Sequence, residues 1–403
     1  MPYERYFNFT YITNFVQICT SIFFMSKLLH TILAIYLLTI SSCSSTKQEQ
    51  KSVQIPGLKF LSEYVVPYNQ QFAKTTIGGL SGIDYNPQKG EYYLISDDRS
   101  EKNPARFYNA QILINNNKID SVVFLKNTFL KDQAGKFYPN ILQDPVHTPD
   151  PEALRYDMKN NRFIWSSEGE RIVNSKKTIL ENPAITEIKP DGSFIDTFQL
   201  PPQLIMHSTE TGPRQNGVFE GLTFSQDYKS LFVSVEEPLY QDGPRAATGD
   251  STGIVRIIKL DMTTKKPVAQ FAYIVDPVAH PAITPSSFKI NGISDILSFD
   301  KNKLLVIERS YSTGRLSCTI KVFIADISSA ENVNQLASLK NKQVKTVSKK
   351  LLFSMDDLGI YIDNIEGVTF GPTLANGKKS LIFIADNNFN PLEQTQFLLF
   401  EIE

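Results

Sequence analysis

Cysteine is scarce: three in 403 residues, at positions 19, 43 and 318. Once the export segment described below is removed, only Cys43 and Cys318 remain. A lipid on the first leaves no pair for a disulfide, so stability must come from a packed core. An excess of one charge is lacking too. A formal net charge of −1 offers no field for nucleic acid or for an anionic membrane surface. There is no Cys-x-x-Cys and no His-Glu-x-x-His, so a zinc enzyme has no support. A phosphate-binding Walker loop is also absent, and Gly249-Asp250-Ser251-Thr252-Gly253, which has the Gly-x-Ser-x-Gly spacing, runs into the strand-like stretch Gly253 to Leu260 rather than a helix, so a serine hydrolase is equally unsupported.

What is present starts with an address. Met25-Ser26-Lys27 reads as a second start with a short basic region, and residues 1–24 as an over-long beginning, though Phe15 to Phe24 is itself apolar. The apolar run Leu28 to Ile40 then leads to Ile40-Ser41-Ser42-Cys43, which resembles a bacterial lipobox. There the cysteine is diacylglyceryl-modified and becomes the mature N-terminus. Acyl chains at about 0.8 kcal/mol per buried CH₂ give durable anchoring without a spanning helix. An uncleaved signal anchor is the alternative. Residues 1–43 are thus expected to be an export segment and 44–54 a polar tether. Residues 55–403 should form the folded domain, a lipid-anchored monomer of the cell envelope.

A short phrase recurs along that domain. It reads Leu80-Ser81-Gly82-Ile83-Asp84-Tyr85, Pro151-Glu152-Ala153-Leu154-Arg155-Tyr156 and Phe219-Glu220-Gly221-Leu222-Thr223-Phe224. It returns as Ser294-Asp295-Ile296-Leu297-Ser298-Phe299 and Ile365-Glu366-Gly367-Val368-Thr369-Phe370. The slots 81, 152, 220, 295 and 366 step by 71, 68, 75 and 71 residues, the mark of a repeat architecture. A second strand follows each phrase and ends in acid at Asp97, Glu168, Glu236, Glu308 and Asp386.

Each period holds four short strand-like runs punctuated by turn chemistry, with no long helical pattern. The third is clearest: Gly221 to Phe224, Ser230 to Val235, Gly253 to Leu260 and Pro267 to Val275. Four antiparallel strands per repeat, arrayed radially, describe an all-β propeller. The fifth period stops one strand short, and Gly57 to Val66 supplies the missing one, so that both termini share a closing blade. Five blades are expected. Six compete, because the insertions 129–149 and 200–218 are long enough to hide strands.

In a propeller the start of the first strand and the end of the second lie at one end of the channel. Glu152 then neighbours Glu168, Glu220 neighbours Glu236, Asp295 neighbours Glu308, and Glu366 neighbours Asp386, with Cβ atoms roughly 4.5–5.5 Å apart. Like charges so close repel unless a cation neutralises them. Oxygen ligands without clustered histidine or cysteine favour a hard ion, and Ca²⁺ tolerates ligands from several loops. The metal ligands expected are therefore Asp97, Glu152, Glu168, Glu220, Glu236, Asp295, Glu308, Glu366 and Asp386, with Asp98, Glu237, Asn387 and Asn388 adding oxygens nearby. The alternative is that each acid merely caps its own turn. Arg99, Arg171 and Arg309 stand beside these acids, either as salt-bridge partners or to recognise phosphate or carboxylate. The loops at the same rim carry His147, His207, Arg214 and His280. His147 draws notice because it shortly precedes the second phrase.

With Gly79-Leu80-Ser81-Gly82-Ile83, Asp150-Pro151-Glu152-Ala153-Leu154, Asn216-Gly217-Val218-Phe219-Glu220-Gly221-Leu222 and Asn364-Ile365-Glu366-Gly367-Val368 in view, the chain resembles the phytase-like family, also described by an esterase-like activity of phytase. The likeness spans about Leu58 to Glu403. It implies a secreted or surface propeller that hydrolyses phosphoesters with calcium. Two departures stand out: Ser81 fills the first acid slot, and Asp295 lacks the glycine that follows Glu220 and Glu366.

Three functions follow. The first is Ca²⁺-dependent hydrolysis of a small anionic ester, with Glu220 or Glu168 as general base and Arg99, Arg171, Arg309 and His147 as further catalytic candidates. The second is a non-enzymatic binding or assembly module of the envelope. The third is lactone or sugar-ester hydrolysis of the gluconolactonase or paraoxonase type, in which one ion sits on the channel axis.

Overall fold

Runs such as Leu381-Ile382-Phe383-Ile384-Ala385 are apolar on both faces, and a strand of that kind must be covered on both sides. The computed structural model meets this need by stacking sheets face to face around a ring. Leu381, Phe383 and Ala385 pack toward one neighbouring sheet, and Ile382 and Ile384 toward the other, as a period of two requires. Five such apolar interfaces, one in each gap between sheets, make up the core.

The structure describes Phe23, Met25 and residues 54–403, the last falling within one compact unit. The export segment, Cys43 and nearly all of the tether lie outside the described residues. Among the described residues no helix is long and apolar enough to cross a membrane.

There are five four-stranded antiparallel blades. Blade 1 is Leu80–Asn86, Glu91–Ser96, Arg106–Asn115 and Lys118–Phe129; blade 2 is Pro151–Asp157, Arg162–Ser167, Ala184–Ile188 and Phe194–Thr197. Blade 3 is Phe219–Phe224, Ser230–Val235, Gly253–Asp261 and Pro267–Val275; blade 4 is Lys289–Asp300, Lys303–Ser312, Thr319–Asp326 and Ser348–Ser354. Blade 5 joins Asn364–Phe370, Ser380–Asp386 and Thr395–Ile402 to Leu58–Val66, pairing the two ends of the domain from Leu58↔Ile402 to Val66↔Thr395. The insertions at 129–149 and 200–218 contain an isolated bridge and a one-turn 3-10 helix, Pro202–Leu204, and no sixth blade.

The five innermost strands touch one another in a closed circle. At its centre lies Arg155, from the inner strand of blade 2. Its guanidinium donates to the main-chain carbonyls of Ile83, Leu222, Ile296 and Val368, one from the inner strand of each other blade. It also pairs with Asp295 at 2.8 Å. The channel is thus plugged by one buried cation that ties all the blades together.

Candidate functional site

The inner strand of each blade carries a β-bulge near its start, and the bulge decides which side chain faces the rim. In blade 1 the bulge falls between Leu80 and Gly82, leaving Ser81 unpaired. In blade 5 it isolates Glu366 between Ile365 and Gly367, and in blade 3 it includes Glu220. In blade 4 the isolated residue is Ser294, since Ile293 pairs with Glu308 and Asp295 with Ile307. Asp295 therefore sits where blades 1 and 5 have Gly82 and Gly367, one step further down the channel. By the same register Arg309, opposite Gly292, takes the place that Asp386 holds opposite Asn364.

Two expected ligands consequently lie elsewhere. Asp295 is committed to Arg155 in the plug, where burial pushes its carboxyl up to about 6 against the pull of the guanidinium. Glu308 points away from the channel: it accepts from the Tyr273 hydroxyl at 2.8 Å, the Asp276 N–H at 2.7 Å, Asn291 at 2.9 Å and Lys349 at 2.5 Å. The cause is strand geometry, because a slip of one residue turns every side chain to the other face.

The remaining acids converge. A cavity of about 570 Å³ opens at the rim, lined on one side by Asp97, Glu152, Glu168, Glu220, Glu236 and Glu366. Asp150 joins them, a residue missed in the sequence although it stands two positions before Glu152. Three sets of carboxylates can each bring oxygens within 4.8 Å of one another: Asp97, Glu366 and Asp386; Asp150, Glu152 and Glu168; and Glu168, Glu220 and Glu236. Gly79 makes room for the first set. It has a φ of +60°, and a Cβ there would stand 2.0 Å from Asp97 Oδ1.

Burial and mutual repulsion hold these groups toward the neutral form. The Glu220 carboxyl is pushed well up by burial and then by Glu236 and Glu168; that of Asp97 rises by burial and then by Asp386 and Glu366. Glu152, Glu168 and Asp386 rise well above the usual range for the same reasons. Glu366 reaches about 7 and Asp150 about 6, the nearby arginines opposing burial. Arg309 lies among them, bound to Glu236 at 2.6 Å and to Glu366 at 2.5 Å.

The fit to a metal is tested by what these oxygens already bind. Glu366 Oε1 accepts from Arg309 and Asn364, yet its Oε2 is buried without a partner. Asp386 Oδ2 accepts from the Asn388 N–H, and its Oδ1 is likewise buried and unpartnered. Glu152 and Glu220 make no hydrogen bond or ion pair through their carboxylates to another described residue. Orphaned acceptors in a set made solely of oxygens suit a hard divalent ion, so acidic clusters that could bind a metal are present.

Most of the other expected residues are placed apart from the cavity. Arg171 donates to the carbonyls of His207 and Thr209 and to the Tyr240 hydroxyl, and lies over the Tyr240 ring at 4.8 Å. Arg214 covers the same ring at 4.2 Å, so this pair of arginines clamps two loops. His147 is exposed and pairs with Asp144 at 2.9 Å, while His280 contributes its carbonyl to Ser312. Arg99 stays at the rim, 2.8 Å from Glu170 and 3.6 Å from Asp150. Asp98 binds Arg106 and caps residues 101–103, Glu237 holds Arg245, and Asn387 caps Gly79 and Phe389. Asn388 lines the cavity.

Against known proteins, a family described as Phytase-like, esterase-like activity of phytase, matches residues 75–389. The chain belongs to the phytase-like family. No curated protein sequence matches it. Among solved structures it is similar to a gluconolactonase from Xanthomonas campestris at 11% identity and TM-score 0.33, covering 85% of this chain and 89% of that one. It is also similar to an endo-arabinase from Bacteroides thetaiotaomicron at 12% identity and TM-score 0.41, covering 80% of this chain and 93% of the other. Nothing about the activity of this phytase-like protein rests on those two likenesses.

Proposed function

We propose that this phytase-like protein is a calcium-dependent hydrolase of small phosphoesters that works at the acidic rim of its channel. The observation that carries the reading is the pair of buried, unpartnered oxygens on Glu366 and Asp386, set beside the free carboxylates of Glu152 and Glu220. Asp97, Glu366 and Asp386 would hold one cation. Glu152, Glu168 and Glu236, in the two overlapping sets, would hold others. Bound calcium would neutralise substrate phosphate and lower the pKa of water.

The chain's own groups do the rest. Glu220 faces the cavity with no internal partner and, ionised once the neighbouring negative charge is neutralised, takes the proton of the attacking water as the new P–O bond forms. The departing alkoxide then receives that proton. Arg309, fixed between Glu236 and Glu366, offsets part of the burial that raises those two carboxyls, and Arg99 does the same for Asp150 while also pairing with Glu170. The family membership supports a hydrolase in general terms. A single ion on the channel axis, as in the lactonase reading, is less well supported, because Arg155 fills the axis.

Export through the lipobox and anchoring through Cys43 would place the enzyme in the cell envelope as a monomer, without nucleic-acid partners. The test is turnover of p-nitrophenyl phosphate and bis(p-nitrophenyl) phosphate by the purified protein, with calcium or with chelator. Turnover abolished by chelator, and reduced about 100-fold or more by Glu220→Gln, is expected. No turnover with calcium, or full activity in the variant, would sink the reading and favour a binding module.

A further inference from the structure

The cavity has a second wall of opposite character. Blade 4's inner two strands, Lys289–Asp300 and Lys303–Ser312, run 12 and 10 residues, against 6 and 6 in blade 3. The added length rises past the acid slots, with Lys289 still paired to Ser312 and Ile290 to Tyr311. Where the strands end, the Thr313 N–H bonds to the Phe288 carbonyl at 3.0 Å and the Ile283 N–H to the Thr313 carbonyl at 2.9 Å. The Tyr361 hydroxyl fixes Leu316 through its carbonyl at 3.2 Å. This braced edge presents Phe288, Ile290, Tyr311 and Leu316 to the cavity; Tyr361 and Leu392 adjoin it from blade 5's loops, with Arg315, Asp363 and Glu393 at its margins.

Exposed apolar residues scattered singly need no explanation. Here Phe288 is 55% exposed, Leu392 84% and Leu316 89%, and all three line the cavity that holds the carboxylates. Side chains that stay wet and apolar at the mouth of a polar site mark a surface meant to be covered. The cationic groups that line the cavity are Arg309 and Arg315, and Arg309 is already bound to two carboxylates. A polyanion bristling with phosphates on every side would meet carboxylates at the acid slots and again at Asp363 and Glu393, and exposed hydrocarbon beside them.

We propose that the substrate is an amphipathic monoester: one phosphate held at the carboxylate wall, and an alkyl or aryl group laid against the wall built on blade 4. The class rests on the hydrolase reading for its reaction and on the calcium of that reading for holding the phosphate, but not on it for the apolar part of its binding. The test therefore uses non-hydrolysable n-alkylphosphonates from ethyl to octyl, titrated into the calcium-loaded protein by calorimetry, beside turnover of the matching alkyl phosphates, glycerol phosphate and inositol hexakisphosphate.

Affinity should rise roughly two- to fourfold per added methylene, as burial of hydrocarbon dictates. The double variant Leu316→Ser, Leu392→Ser, which changes two exposed positions and should keep the parent's thermal midpoint, should flatten that slope. A flat series in the parent protein, or an undiminished slope in the variant, overturns the proposal. A rising series with no phosphoester turnover leaves it standing and removes the hydrolase reading. Turnover of glycerol phosphate or inositol hexakisphosphate with no gain from alkyl chains does the reverse. Phosphatidic acid in vesicles, run beside octyl phosphate, tells a membrane-borne ester from a free one.

Discussion

Residue by residue, the acids of the second, third and fifth phrases were legible because the phrases that carry them return every 68 to 75 residues. Glu152 to Glu168 and Glu220 to Glu236 each span 16 residues. Blade 4 was misread because an aspartate lies next to the slot and a glutamate next to its partner position. The bulge, which the sequence does not print, moves both by one residue and leaves Ser294 and Arg309 at the rim. A signal existed: Asp295 to Glu308 spans only 13 residues, whereas Ser294 to Arg309 spans 15. Arg309 thus puts a positive charge at the position where the other blades carry Asp97, Glu168, Glu236 and Asp386. Arg309→Met should lower the metal-free protein's stability by about 3–5 kcal/mol, since it strands Glu236 and Glu366 without their cation. Added calcium should restore more of the thermal midpoint in the variant than in the parent. Equal calcium responses would show that the guanidinium does not share the metals' role.

At the level of the strand, alternation and turn chemistry mark the runs well, and Ser230–Val235 and Pro267–Val275 fall where expected. The extra length of blade 4's inner strands was not legible, because Lys289 to Ile293 reads like loop chemistry until a partner strand is known. Nor was the plug. Its trace in the sequence is an arginine inside Ala153-Leu154-Arg155-Tyr156, a cation in a strand that is otherwise apolar at its centre. Arg155 is 3% exposed and serves four carbonyls and Asp295, so Arg155→Met should leave several buried acceptors and one carboxylate unsatisfied. Denaturant unfolding should report a loss of about 3–5 kcal/mol. A loss under 1 kcal/mol would mean that the ring is held by its apolar interfaces alone.

For the molecule as a whole, the period and the missing strand of the last repeat foretold both the ring and its closure by the two ends of the domain. Closure could be read because it is a matter of counting strands. The electrostatics of the finished ring could not, since they depend on burial. Carboxyls raised toward 6–7 bind protons in the folded state that they lose in the unfolded one. Stability from this source is complete below about pH 4 and is lost as pH rises through about 7. In chelator the thermal midpoint should therefore fall between pH 5 and pH 8. Calcium, which binds the ionised form, should reverse the fall at pH 8. A midpoint that rises with pH in chelator would contradict the raised carboxyls. The most direct test of the metal centre is calorimetric titration of calcium into the metal-free protein and into the double variant Glu366→Gln, Asp386→Asn. The centre predicts saturable binding in the parent and loss of at least one site in a variant that still folds. No binding by the well-folded parent would contradict it.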